Sequence, residues 1–286
     1  MPFETAPVGS KRIAVIGGGI SGMGAAYQLR EQHQVVLFEA APRLGGHART
    51  VMAGKNGDLP VDTGFLVFND VNYPYLIRLF AELDVPVMDS DMSFGASING
   101  GWLEYGLLAP KAVFAQPRNI IRPKFYGMIR DILKFNKRAN SELIDSTITI
   151  GELVNEWQLG DWFCDYYLTP FTGAIWSTPI TQILDFPAQA MINFMKNHAL
   201  LGAGGQHQWR TVRGGSREYV SRLQSALTRA NVEIRLSSPV AQVRRNPLGV
   251  ELQMTDGSVE AFDEGIFATH SDITLGMLSD ANNLEH

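Results

Sequence analysis

The first forty residues alternate between apolar and polar positions in a strand, helix, strand rhythm. Residues 11–16 begin with Lys11 and Arg12 and continue apolar and β-branched to Ile16, which predicts a buried strand. Gly17-Gly18-Gly19-Ile20-Ser21-Gly22 follows, then a helix-like stretch over 23–31, then an apolar strand at 34–38 that closes on the acid Glu39. Residues 75–83 read as an amphipathic helix, with Leu76, Leu79, Phe80 and Leu83 on one face. The segments 92–98 and 102–105 flank Asn99-Gly100-Gly101, a hairpin signal. A long helical stretch runs from Lys124 toward Leu143. Thr149-Ile150-Gly151-Glu152 offers a capping box for another helix. Asp161 is a candidate cap for the next, and Pro187 suits the first turn of a helix that ends near Leu201-Gly202. After Gly214-Gly215-Ser216 the pattern predicts a helix at 217–229, then strands at 232–236, 240–244, 249–254, 258–262 and 265–268. Asp256-Gly257 marks a turn between two of these strands.

This texture divides the chain into three regions. Residues 1–95 are expected to form a first nucleotide-binding segment, 96–205 a mostly helical insert, and 206–283 the returning α/β segment. The terminal Leu284-Glu285-His286 has the look of a tag junction and stands outside the fold reading.

The glycine turn carries the most specific chemistry. Gly17 allows the tight turn, Gly19 lets backbone N–H groups approach a pyrophosphate, and Gly22 permits close packing of helix on strand. The N-terminus of the helix, which includes Ile20 and Ser21, turns its dipole toward phosphates. Glu39, followed by Ala40, stands about 20 residues past the glycines, where an acid accepts ribose hydroxyls. The chain is therefore expected to bind a dinucleotide. A second loop follows, Arg43-Leu44-Gly45-Gly46-His47-Ala48-Arg49-Thr50, and then Val61-Asp62-Thr63-Gly64. An extended cofactor that runs past the first turn needs such a cation and such flexible backbone, which favours FAD over a nicotinamide dinucleotide.

On these residues the chain resembles the FAD-dependent amine oxidase and phytoene desaturase superfamily. That resemblance implies an α/β fold: a glutathione-reductase-like FAD-binding Rossmann domain with an inserted, mostly helical substrate domain. It also implies a C-terminally truncated chain, since such proteins usually continue into a last segment that reaches the flavin. The carry-over is direct for Gly17, Gly19, Gly22, Glu39, Arg43, Gly45, Gly46, Asp62 and Gly64. His47 departs from the pattern, standing where the superfamily usually has Arg; Arg49 is either its substitute or a solvated loop residue. Thr63 and Phe65 extend the expected cofactor contacts, with Phe65 and Phe68 candidates to lie near the flavin. Val240 is read either as the strand residue whose backbone meets the adenine or as an ordinary core valine. Phrases such as Asn72-Tyr73-Pro74, Ile175-Trp176-Ser177, Asn197-His198 and Ala268-Thr269-His270 are similar to a bacterial subgroup associated with cyclopropane-fatty-acid-synthase-like genes. This implies desaturation, or a related oxidation, of an unsaturated or methylated fatty acyl chain. A flavin amine oxidase and a non-catalytic dinucleotide-binding module are the alternatives.

Composition narrows the rest. A net charge of −5 provides no global basic field for nucleic acid. The single cysteine, Cys164, rules out an intrachain disulfide and sits among aromatic residues, as a buried small hydrophobe would. With no signal-peptide pattern and no spanning stretch, a cytoplasmic location is expected. Between Lys111 and Arg138 eight cations meet one acid, Asp131, interleaved with Phe114, Phe125, Tyr126, Ile129 and Phe135. That run is read either as peripheral contact with an anionic inner-membrane surface through 111–138 or as a solvated helix face packed on the core. The spacing of His198, His207 and His270 fits no metal-ligand pattern. His198 is left between an acid–base role and a satisfied helix end. No catalytic residue is assigned, because hydride transfer to a flavin needs no obligatory base.

Overall fold

The computed structural model describes residues 9–107, 109–176, 179, 181–202 and 207–285, in two compact units. Readings that fall on 1–8, Ser177 and His286 lie outside the described residues. One unit comprises Met1–Phe68, Pro74–Asp89 and Arg210–His286, and the other Asn69–Tyr73 and Ser90–Trp209.

The first unit is built on a four-stranded parallel sheet, ordered Glu233–Arg235, Gln34–Phe38, Arg12–Ile16, Glu264–Phe267. Residues 13–16 and 35–38 are buried without alternation, as parallel strands covered on both faces must be. The helix Ile20–Leu29 follows the first strand at once, three residues earlier than the pattern suggested. Its first turn is Ile20-Ser21-Gly22, so the last glycine of the fingerprint is already helical. A three-stranded antiparallel sheet, Val240–Asn246, Gly249–Met254 and Val259–Phe262, supplies a second layer. Ala14, Ile16, Val36 and Phe38 pack there against Val243, Leu252, Phe262 and Met277. The Phe38 and Phe262 rings meet edge to face at 5.8 Å. Thr50–Ala53 pairs antiparallel with Leu59–Asp62, and Thr63 and Gly64 lie just past the second strand.

The second unit has its own core. The helix Pro123–Ser141 buries Phe125, Met128, Ile132, Phe135 and Ala139. Trp157, Phe163, Ile183 and Met191 belong to the same cluster. The capping box forms as predicted: Thr149 Oγ1 accepts from Glu152 N, and Glu152 accepts from Thr149 N at 2.8 Å. The cap expected at Asp161 does not form, because Gly160 is the N-cap and Asp161 already occupies the first turn. Gly95–Ile98 and Leu103–Gly106 pair antiparallel around the predicted turn. Asn99, Gly100 and Gly101 all take the left-handed backbone that such a turn needs. Among the described residues no helix is long and apolar enough to cross a membrane.

Candidate functional site

The glycine turn sits at the C-terminal end of the first strand, inside the first unit. Gly17 N donates to Phe38 O at 2.8 Å, which ties the turn to the neighbouring strand. Gly17 has φ +108°, and a side chain there would stand 2.8 Å from Ala268 O. Gly22 is more constrained still: its Cβ would lie 1.8 Å from Gly17 O. Helix and turn can meet only with glycine at both positions.

Gly19 serves the opposite purpose. It is the helix N-cap, offers no side-chain cap, and has open space where a Cβ would point. The first helical bond runs from Met23 N to Gly19 O at 2.9 Å. The N–H groups of Ile20, Ser21 and Gly22 are the unsatisfied donors of a helix start, and no carboxylate lies in that first turn. This is the donor set of an anion site. Gly18 differs from its neighbours, since its N–H is committed to Glu39 Oε2 at 2.6 Å.

Glu39 is thereby held in place. Its other oxygen accepts from Ala41 N at 2.8 Å, and each oxygen keeps a lone pair for a hydroxyl. Ala40 is exposed beside it. Residues 237–238 run along the same edge: Ser238 N donates to Glu39 O at 2.9 Å and Ser237 N to Ala41 O at 3.0 Å. Val240 follows them, half-buried against the core of the two sheets, where it opens a strand with a register shift.

The second loop lies against the first. Gly45 N donates to Gly18 O at 2.8 Å, and a Cβ on Gly46 would stand 3.1 Å from Gly19 Cα. Gly45 and Gly46 both have positive φ. Arg43 folds over its own loop, donating to Leu44 O at 3.2 Å and Gly46 O at 3.0 Å, and among the described residues no acid is seen to pair with it. His47 is exposed, with its ring 5.4 Å from that of His270. Gly64 closes over this loop, since a Cβ there would lie 2.0 Å from His47 O. Thr63 N and Thr63 Oγ1 both donate to Arg49 O. Phe65 stacks on Phe68 at 6.1 Å.

Asp62 has a different place from its neighbours. Its carboxylate accepts from Thr50 Oγ1 at 2.6 Å, Ser216 Oγ at 2.8 Å and Ser216 N at 2.9 Å. These bonds fix the start of the helix Arg217–Arg229 to the hairpin, and they occupy the carboxylate with protein donors. The sequence reading missed the contribution of Ala268–His270. This loop flanks the glycine turn only because Glu264–Phe267 pairs beside Arg12–Ile16 across some 250 residues.

In the second unit His198 caps the C-terminus of the helix Ala188–Asn197. Its Nδ1 stands 2.9 Å from Phe194 O, which can only accept, so Nδ1 carries the proton. The ring stacks on Phe194 at 4.1 Å and on Trp209 at 5.9 Å, the geometry of a helix-end packing group. Burial, with Asp165 adding to it, pushes the Cys164 thiol up to about 11, in keeping with a small hydrophobe. Among the described residues no three metal-ligating side chains gather.

The model of the family described as flavin containing amine oxidoreductase matches residues 20–275. A segment of 46 residues is 50% identical to protoporphyrinogen oxidase 2 of Arabidopsis thaliana, covering 16% of this chain and 9% of that protein. Cyclohexylamine oxidase from Brevibacterium oxydans has a similar fold, with a TM-score of 0.69, 17% identity, and coverage of 96% of this chain and 61% of the other. A CLA-producing fatty acid isomerase from P. acnes gives a TM-score of 0.59 at 14% identity, covering 96% and 62%. The chain thus spans about three fifths of the solved chains it matches and a smaller share of the curated relative. The open helix start, Arg43 on the covering loop and the fixed Glu39 fit the pyrophosphate and ribose of such a cofactor. This chain belongs to the flavin-containing amine oxidoreductase family, and its cofactor is FAD.

Proposed function

We propose that the protein is an FAD-dependent oxidoreductase that removes a hydride from a carbon of an apolar substrate, an unsaturated or methylated fatty acyl chain. The observation that carries the oxidoreductase reading is the glycine turn of the first unit. There Gly19, Ile20, Ser21 and Gly22 present a bare helix start, and Glu39 is held by two backbone N–H groups. Bound there, FAD supplies the hydride acceptor, and the protein's part is to bind, orient and exclude water. Ile20, Ser21 and Gly22 N–H would hold the pyrophosphate and Glu39 the ribose hydroxyls, with the 237–240 edge as the candidate partner of the adenine. Arg43 adds a cation to the loop that lies against the turn.

The lipid part of the proposal rests on the surface of the second unit. The apolar face of Pro123–Ser141 is spent on that unit's own core, and Arg130 and Arg138 are paired with Asp131 and Glu142. Of the 111–138 run, this helix leaves Tyr126 and Leu133 exposed among its charged residues. What supports lipid contact is the segment just before it, where Ile120 is 54% and Ile121 82% exposed between Arg118, Arg122 and Lys124. Two adjacent aliphatic side chains ringed by cations suit an anionic lipid surface.

One experiment tests both parts. The FAD-loaded protein is mixed anaerobically with unsaturated phospholipid in anionic vesicles, or with dispersed aliphatic amines, while flavin absorbance is followed. The proposal expects bleaching by the vesicle lipid, slowed at least about tenfold when Arg118, Arg122 and Lys124 become Glu. Bleaching by amines alone would replace the substrate. Failure to take up FAD at all would overturn the reading.

A further inference from the structure

We propose that the thioether of Met52 is a site of stereoselective oxidation by peroxide, in which Arg217 holds one sulfur lone pair and leaves the other to react. The site lies within the first unit and is independent of the FAD reading.

Two of the described methionines are exposed, Met52 at 47% and Met88 at 44%. Met23, Met128, Met191 and Met195 are at most 1% exposed. A small oxidant in solution therefore reaches the first two and is kept from the other four. What separates Met52 from Met88 is the partner of its sulfur. Arg217 Nη1 donates to Met52 Sδ at 3.2 Å. Among the described residues no hydrogen-bond donor meets the sulfur of Met88.

The guanidinium is held at Met52 by the junction of the hairpin with the helix Arg217–Arg229. Thr50 and Met52 stand two residues apart on the strand Thr50–Ala53, and so project from the same face. Thr50 Oγ1 accepts from Arg217 N at 3.1 Å, so backbone and side chain of Arg217 both meet that face. Arg217 Nε donates to Gly214 O at 3.1 Å, which fixes the direction of the guanidinium plane. The Asp62 carboxylate ties Thr50 to Ser216, the residue before Arg217. The contact is thus part of a connected hydrogen-bonded junction.

A thioether sulfur carries two lone pairs between two different carbons, here Cγ and Cε. With one pair directed at Nη1, the pair that faces solvent attacks a peroxide oxygen. An S–O bond forms and the O–O bond breaks. The proton on the new S–O group passes to the departing hydroxide, which leaves as water. The sulfur gives up two electrons and the peroxide takes them. Attack from one side yields one sulfoxide epimer. Each class of methionine sulfoxide reductase accepts one epimer, so a single class reverses the change at Met52. The open sulfur of Met88 yields both epimers.

The test treats the intact protein with dilute hydrogen peroxide and digests it. Each sulfoxide peptide is then offered separately to the two reductase classes, with mass spectrometry as the readout. Met52 sulfoxide is expected to be reduced at least about tenfold more completely by one class, and Met88 sulfoxide in about equal parts by both. Arg217→Ala, its fold checked by circular dichroism, should bring the two classes to near equality at Met52. Wild-type protein oxidised while unfolded in urea should do the same without any substitution. Equal epimers from the folded wild type would overturn the proposal. So would selectivity that persists in folded Arg217→Ala, or a Met52 that stays unoxidised while Met88 reacts.

Discussion

At the residue scale, the glycines of the first turn divide by what surrounds them. Gly22 is required because the carbonyl of Gly17 would lie inside a methyl group, whereas Gly19 has nothing near it and is bare for the sake of a ligand. Gly22→Ala is therefore expected to push the helix off the strand. Overpacking of this kind costs about 1–3 kcal/mol. The displaced N–H groups should also lower FAD affinity more than tenfold, measured by thermal unfolding and flavin fluorescence. The sequence made this fingerprint legible because the glycines, the helix start and Glu39 all lie within one short stretch. It did not reveal that the Gly18 N–H is spent on Glu39, nor that the Asp62 carboxylate is occupied by Thr50 and Ser216. Those roles depend on where side chains end up, and Ser216 lies more than 150 residues from Asp62.

At the scale of elements, local rules held where neighbours in sequence satisfied each other. The capping box at Thr149 and the hairpin around Asn99–Gly101 are of this kind. The helical run from Asp161 to Trp176 is different, because Cys164–Leu168 widens into a π-turn before Pro170. Proline has no N–H to return to the preceding turn. The Tyr166 carbonyl is met instead by the Tyr105 hydroxyl at 2.5 Å, which comes from the hairpin. Burial raises the Tyr105 phenol further above its ordinary range, so it is a fixed donor. Tyr105→Phe should leave that carbonyl unpaired and lower stability by about 1–2 kcal/mol. A shifted urea midpoint with an unchanged slope would show it.

Across the whole molecule, the two units differ in how they are held together. The helical unit relies on one large apolar cluster, while the sheet unit adds a buttress of charges. Glu260 accepts from Arg235 and Arg12, whose guanidinium groups also lie over Phe38 and Phe262. These bonds join the parallel sheet to the antiparallel layer. The hydrogen bond from Arg235, aided by that from Arg12, holds the Glu260 carboxyl below its usual range. A depressed carboxyl contributes stability that is present above its unfolded pKa and is lost as pH falls through the folded value. Thermal midpoints should therefore drop on acidification from pH 7 to pH 3. Glu260→Gln should be less stable at pH 7 and show a smaller drop.

The sequence by itself determined the dinucleotide fingerprint, the FAD preference and the alternation of α/β and helical regions. Each of these is written in residues that act on near neighbours or in the periodicity of burial. The tertiary structure decided what depends on distant segments meeting. It brought Ala268–His270 to the glycine turn, committed Asp62 to Ser216 and set His270 against His47. It also turned the aromatic side of the cationic helix inward, leaving Ile120 and Ile121 outside. Periodicity tells which side of a helix is apolar, but only packing determines whether that side meets a core or a membrane.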